Sequence, residues 1–150
     1  GKGQTIPTLE EVIEFVGQRV AINIELKGAG TALPVSRLLY NYYRKGWDED
    51  RFLMSSFDVE ELRHFRHADL VSRVGLIFDR SRKNIFDLTR ELKCYSIHPS
   101  VKLTTVQLFS DAHAQGLKVF VWTVNSASEA RRLAEMGVDG IFSDYPDRLV

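Results

Sequence analysis

Strand-like and helix-like segments alternate along this chain from end to end, and that alternation limits the fold more than any other feature. The strand-like runs are 21–28, 52–57, 74–78, 94–99, 118–125 and 138–144. Between them, apolar residues recur every three or four positions, the spacing of one helix face. Regular alternation of this kind gives parallel strands joined by right-handed crossovers. A TIM barrel and an open doubly wound sheet both satisfy it. No Gly-rich phosphate loop follows a strand, which disfavours the dinucleotide-binding form of the open sheet. A full barrel needs eight strands and ~250 residues, whereas this chain has 150. The strand–helix units nonetheless have barrel-like length. The expectation is the C-terminal part of a TIM (β/α)8 barrel, with about six parallel strands and the first barrel strands outside this chain.

Helix starts are marked by side chains that satisfy free backbone donors. Thr8 with Glu11, Asp58 with Glu61, and Ser126 with Glu129 each read as a capping box. Pro34 or Ser36 is expected to open the second helix and Thr104 or Thr105 the fifth. The fifth helix carries Val106, Leu108, Phe109 and Ala112 as its apolar residues. Val74–Phe78 is nearly all apolar, as in a strand covered on both faces. The run 118–125 is the strongest strand signal, rich in β-branched and aromatic residues.

Composition excludes several classes. Lys plus Arg and Asp plus Glu both number 20, so the net charge of zero supports neither nucleic-acid binding nor a polybasic membrane anchor. No apolar run approaches the ~18 residues of a membrane span, and the start of the chain shows no signal-peptide pattern. The one cysteine, Cys94, excludes an internal disulfide and a multi-cysteine metal site, and reads as a core residue.

Chemistry concentrates in Ala21-Ile22-Asn23-Ile24-Glu25-Leu26-Lys27-Gly28. Ile22, Ile24 and Leu26 share one strand face, and Asn23, Glu25 and Lys27 share the other. The acid and the base lie at the C-terminal end of the strand, where α/β folds carry ligands. Two readings are open, a salt bridge on the covered face or a metal-binding carboxylate beside an anion-binding lysine.

Five motifs occur in order: Ile6-Pro-Thr-Leu-Glu-Glu-Val12, Asn23-Ile-Glu-Leu-Lys27, Ser55-Ser-Phe57, Val121-Trp-Thr-Val-Asn125 and Gly137-Val-Asp-Gly-Ile-Phe-Ser-Asp-Tyr-Pro146. Together they closely resemble the C-terminal portion of glycerophosphodiester phosphodiesterases, TIM-barrel enzymes of the phospholipase C-like type. They fit that family better than the related phospholipase D-type toxins. The resemblance implies metal-dependent hydrolysis of a small-molecule glycerophosphodiester to glycerol 3-phosphate and an alcohol, with Ca²⁺ or Mg²⁺ as cofactor. It implies that Glu25 is a metal ligand and Lys27 a phosphate contact. Phe57 and Trp122 match aromatic positions near the substrate pocket, with core packing as the other reading for each.

The resemblance also has gaps. The family's His-Arg-Gly, Glu-x-Asp and His-Asp segments lie upstream of the first helix and have no counterpart here. They include the two histidines that act as general acid and base. Of the four histidines present, His64, His67 and His113 fall on helices, and His98 falls at a strand end. Residues 1–150 are therefore expected to form one partial domain without acid–base machinery, prone to self-association through open sheet edges. The alternative is a non-catalytic barrel remnant that binds a phosphorylated ligand or a partner.

Overall fold

The computed structural model describes residue 3 and residues 5–149. Among the described residues, six strands form one sheet in the order β1-β2-β3-β4-β5-β6, and every neighbouring pair is parallel. They are β1 (Ile22–Glu25), β2 (Phe52–Ser56), β3 (Arg73–Phe78), β4 (Ser96–Pro99), β5 (Lys118–Val121) and β6 (Gly140–Ile141). The helices are α1 (Leu9–Val16), α2 (Ala32–Arg44), α3 (Val59–Ala68), α4 (Ile85–Glu91), α5 (Val106–Ala114) and α6 (Ala127–Glu135). Strands in sequence order with a helix after each of the first five give an open half-barrel, and β1 and β6 are its edges.

The alternation read in the first strand holds. Ile24 and Leu26 join the main core with Met54, Val74, Leu76, Ile97, Val119 and Val121 from the other strands. Ile13, Leu39, Phe65, Phe109 and Leu133 from the helices, with Leu92 at the end of α4, close over them. Each such side chain, fully buried, contributes about 1.5–3 kcal/mol. β3 is buried along both faces from Val74 to Phe78, as its apolar run implies.

Local signals hold in part. Thr8 and Glu11 form the complete reciprocal cap. Asp58 Oδ1 accepts from the Glu60 and Glu61 amides, but the Glu61 side chain turns away to another helix. Ser126 accepts from the Glu129 amide, while the Glu129 carboxylate pairs with Arg132 instead of reaching back. α2 begins at Ala32, ahead of Pro34, because its acceptor comes from α3 and not from a local cap. Val106 is 67% exposed, at the first position of α5 and off the buried stripe of Phe109 and Ala112. Cys94 is half-buried, and burial pushes its thiol up to about 12, as suits a packing residue.

Candidate functional site

Parallel strands bring all their C-terminal ends to one side, and there a cleft of about 350 Å³ opens. Asn23, Glu25 and Lys27 of β1 and its extension line one wall. Phe57, Trp122 and Phe142, just past β2, β5 and β6, line the rest, with Ile77 and His98 between them. The four residues singled out from sequence, Glu25, Lys27, Phe57 and Trp122, thus meet in one cavity.

The register explains why the cleft is open. Glu25 stands beside Ser55, Ser55 beside Gly75, and Gly75 beside Ser96. This row of small residues leaves room on the inner face. At Gly75 the room is used: an added Cβ would lie 2.5 Å from His98 Nε2 and 2.8 Å from Ser96 Oγ. The His98 imidazole therefore lies across β3, with Nε2 2.8 Å from Ser96 Oγ.

His98 is fully buried, between the rings of Phe120 and Phe142 at 5.4 and 5.2 Å. Burial lowers its pKa from 6.5 to about 3, so the ring is neutral at ordinary pH. Its Nδ1 has no partner among the described residues. The His98 carbonyl accepts from Trp122 Nε1 at 2.9 Å, which fixes the indole on the end of β4. Phe57 meets that indole edge to face, with centroids 5.3 Å apart and planes at 84°. Phe57 is 40% exposed, so it forms part of the cleft wall and is not core filling.

Lys27 Nζ lies 3.6 Å from Glu25 Oε2, with the lysine side chain 77% exposed. An exposed pair of this kind contributes ~0–1 kcal/mol. It is too weak to be why the two charges are there, and it leaves the ammonium open to an incoming anion.

The loop after Lys27 is held from a distance. Glu61 of α3 is buried, and its carboxylate accepts from the amides of Gly30 at 2.7 Å and Ala32 at 2.9 Å. Thr31 Oγ1 also donates to it at 3.3 Å. These bonds, that from Gly30 foremost, hold the carboxyl below the usual range. Glu61 thus caps α2 and fixes the backbone leaving the Glu25–Lys27 edge. On the opposite rim, Asn125 donates to Asp144 Oδ2 at 2.9 Å and accepts from the Asp144 amide at 3.0 Å, joining the loops after β5 and β6.

The remaining histidines are elsewhere. His64 and His67 are exposed on α3. His113 Nε2 contacts Asp139 Oδ2 at 2.8 Å near the N-terminal ends of β5 and β6, away from the cleft.

Hard divalent cations take six or more oxygens. Glu25 and Asp144 both line the cleft; Glu25 stands on β1 with the Asn23 side chain on the same strand face, whereas Asp144 lies on the opposite rim, where its Oδ2 accepts from Asn125. No group of three or more His, Cys, Asp or Glu is placed to hold a metal ion among the described residues. The residues present fit one corner of such a site and not a whole cage.

The model of the glycerophosphoryl diester phosphodiesterase family matches residues 1–148. The chain is 36% identical over 156 residues to a glycerophosphodiester phosphodiesterase of Bacillus altitudinis, which covers 97% of the chain and 62% of that relative. It is 29% identical over 150 residues to the enzyme of that name from Caldanaerobacter subterraneus subsp. tengcongensis, which covers 99% of the chain and again 62% of the relative. A phosphodiesterase from Oleispira antarctica, solved with its product sn-glycerol-3-phosphate, superposes with a TM-score of 0.83 at 29% identity. That match covers 95% of this chain and 59% of the other. The chain thus spans about three-fifths of the length of the curated relatives it matches.

Proposed function

The chain belongs to the glycerophosphoryl diester phosphodiesterase family, and on that premise we propose that it forms the substrate-binding side of a metal-dependent phosphodiesterase barrel. The observation that carries this reading is the meeting of Glu25, Lys27, Phe57 and Trp122 in one cleft at the C-terminal strand ends. The substrate is a small glycerophosphodiester, and the products are glycerol 3-phosphate and an alcohol.

Each residue has a role that its geometry supports. Lys27, exposed at the mouth, places its ammonium against a phosphoryl oxygen, where negative charge grows in the transition state. Phe57 and Trp122 pack their ring edges against the carbon skeleton and keep water from that side of the cleft. Glu25 would help to hold a divalent cation, Ca²⁺ or Mg²⁺, which would supply neutralisation of phosphoryl charge. Asn23 and Ser55 flank that carboxylate on the inner face.

General acid and base are the parts this chain does not supply. A proton donor must come within hydrogen-bond reach of the leaving oxygen. His64, His67 and His113 are outside the cleft, and His98 is buried and neutral. Residues 1–150 therefore act as a partial domain whose acid, base and further metal ligands come from barrel strands outside it.

The test is an assay of glycerol 3-phosphate release from glycerophosphocholine with added Ca²⁺ or Mg²⁺, run beside light scattering. The isolated chain is expected to be inactive and to self-associate through the free edges of β1 and β6. A segment carrying the family's upstream motifs, supplied in cis or as a second chain, is expected to restore a monomeric barrel and turnover together. Metal-dependent turnover by the monomeric chain alone would refute the partial-domain reading. A restored barrel that binds glycerol 3-phosphate without turnover would favour a phosphate-binding remnant.

A further inference from the structure

A second cavity, of about 360 Å³, lies on the C-terminal face beside the cleft. Ile77 of β3 lines the cleft, and its neighbour Phe78 lines this second cavity, on the other side of the strand. The lining is of two kinds. Phe78, Ile85, Leu103 and Leu108 are apolar, and Phe78 and Ile85 are nearly fully buried. Arg82 and Lys102 are exposed cations, one from the loop after β3 and one from the short turn Val101–Leu103 after β4.

These cations belong to a larger group. The loop Asp79-Arg80-Ser81-Arg82-Lys83-Asn84 is exposed throughout and carries three positive charges against one negative. None of Arg80, Arg82, Lys83 and Lys102 forms an ion pair among the described residues. By contrast, Arg63, Arg73, Arg90 and Arg132 each have a carboxylate partner. Asp87, the acid in the first turn of α4, is paired with Arg90. A chain with no net charge thus carries four cations without an ion pair on neighbouring loops next to the mouth of its cleft.

Charge and floor together select the occupant. A small soluble anion would meet the cations but gain nothing from the apolar floor. An amphiphile with an anionic head uses both, placing the head against Arg82 and Lys102 and its first methylenes over Leu103 and Leu108.

We propose that this cavity and the four cations around it are a docking surface for an anionic lipid membrane, seating the protein with its cleft mouth at the lipid surface. The inference does not depend on the phosphodiesterase reading, because its test measures binding and not turnover. No helix among the described residues is long and apolar enough to cross a membrane, so the attachment is peripheral.

The experiment is vesicle flotation of the chain with phosphatidylcholine alone and with phosphatidylcholine containing phosphatidylglycerol. Light scattering on every sample controls for self-association. Binding is expected only with the anionic lipid, and it should weaken as salt is raised. Each basic residue near such a surface changes partitioning roughly fivefold. Arg82→Glu with Lys102→Glu should therefore lower it at least ~20-fold. Both side chains are exposed, so thermal melts of the variant should match the parent. Leu103→Ser, with all four cations kept, should also weaken binding. Absence of lipid-dependent flotation, or flotation unchanged by the double reversal, would overturn the proposal. So would equal displacement by inorganic phosphate at matched ionic strength, which would make the cavity a soluble-anion site. Unchanged binding by Leu103→Ser would refute the amphiphile argument.

Discussion

Glu61 offers the sharpest test of how this fold holds its site, because one buried carboxylate links α3 to the loop that leaves Lys27. Its Oε1 accepts from the Gly30 amide, and its Oε2 from the Ala32 amide and the Thr31 hydroxyl. In Glu61→Gln one oxygen becomes an amide nitrogen, so either Gly30 or Ala32 loses its acceptor and faces a donor. A hydrogen bond to a charged group contributes about 1.5–3 kcal/mol, and a buried donor left unpaired costs about 1–3 kcal/mol. These costs overlap, so the expected loss is about 2–4 kcal/mol near pH 7. At about 2–4 °C per kcal/mol for a domain of this size, the melting midpoint should fall roughly 5–15 °C. The pH dependence has a definite sign. The folded carboxyl is held below its ordinary value of 4.5. Its contribution is full above that value and is lost as pH falls through the folded pKa. Urea titrations of parent and variant should therefore differ most near neutrality and converge as pH falls below 4.5. Hydrogen exchange at Gly30 and Ala32 should speed up in the variant at neutral pH. A variant within ~0.5 kcal/mol of the parent at pH 7, or a gap unchanged by acid, would refute the reasoning.

Three further outcomes are expected. Gly75→Ala should destabilise the chain by about 1–3 kcal/mol, since the new methyl group meets the His98 ring and Ser96 within contact distance; thermal melts measure it, and an unchanged midpoint would show that the ring moves freely. Trp122→Ala should raise the KM of the restored barrel at least ~10-fold while costing less than the ~3–5 kcal/mol of a core deletion; kinetics beside melts separate the two. In the same restored barrel, Glu25→Gln should weaken metal binding and lower turnover, whereas Lys27→Ala should lower turnover with metal affinity largely kept. Metal titration distinguishes them, and equal loss of metal in both would show that the residues act only as an ion pair.

Parallel pairing was legible because strand and helix segments alternate along the whole chain, and the inner placement of Glu25 and Lys27 because side chains alternate faces along a strand. Two-residue alternation places Ile24 and Leu26 on the helix-covered face and Glu25 on the other, and no later packing reverses that. What could not be read are contacts set by residues far apart in the chain. Glu61 looked like the second half of a cap on its own helix, yet it caps a helix 29 residues earlier. Pairing across crossovers leaves no trace in a short sequence window. For the same reason α2 starts at Ala32 and not at Pro34 or Ser36. His98 carried a strand-end signal, but its burial depends on Gly75 two strand residues below Ile77, and only the register brings them together. The cationic lip was hidden differently. A net charge of zero averages over the chain; Arg80, Arg82 and Lys83 share one loop, and only the fold adds Lys102 to them from the turn after β4.

The open edges bear on how the proposed enzyme divides its chemistry. A closed barrel of this type has eight strands, and the arc from β1 to β6 supplies six. On the proposed reading two strands stand between β6 and β1, and their C-terminal ends point to the same mouth. Six strands of eight would correspond to about three-quarters of a plain barrel. The chain covers only 62% of the length of its curated relatives. The unmatched part of those relatives is therefore longer than two average strand–helix units. On the proposed reading the acid and base come from those two strands, whereas Lys27 stands on β1's extension. The arrangement keeps charge compensation and proton transfer on separate elements. Substitutions at Lys27 or Trp122 should therefore change affinity or turnover without moving the pH profile, which belongs to groups on the complementing strands. A pH–rate profile displaced by Lys27→Ala would place a titrating partner on this side of the barrel and contradict that division.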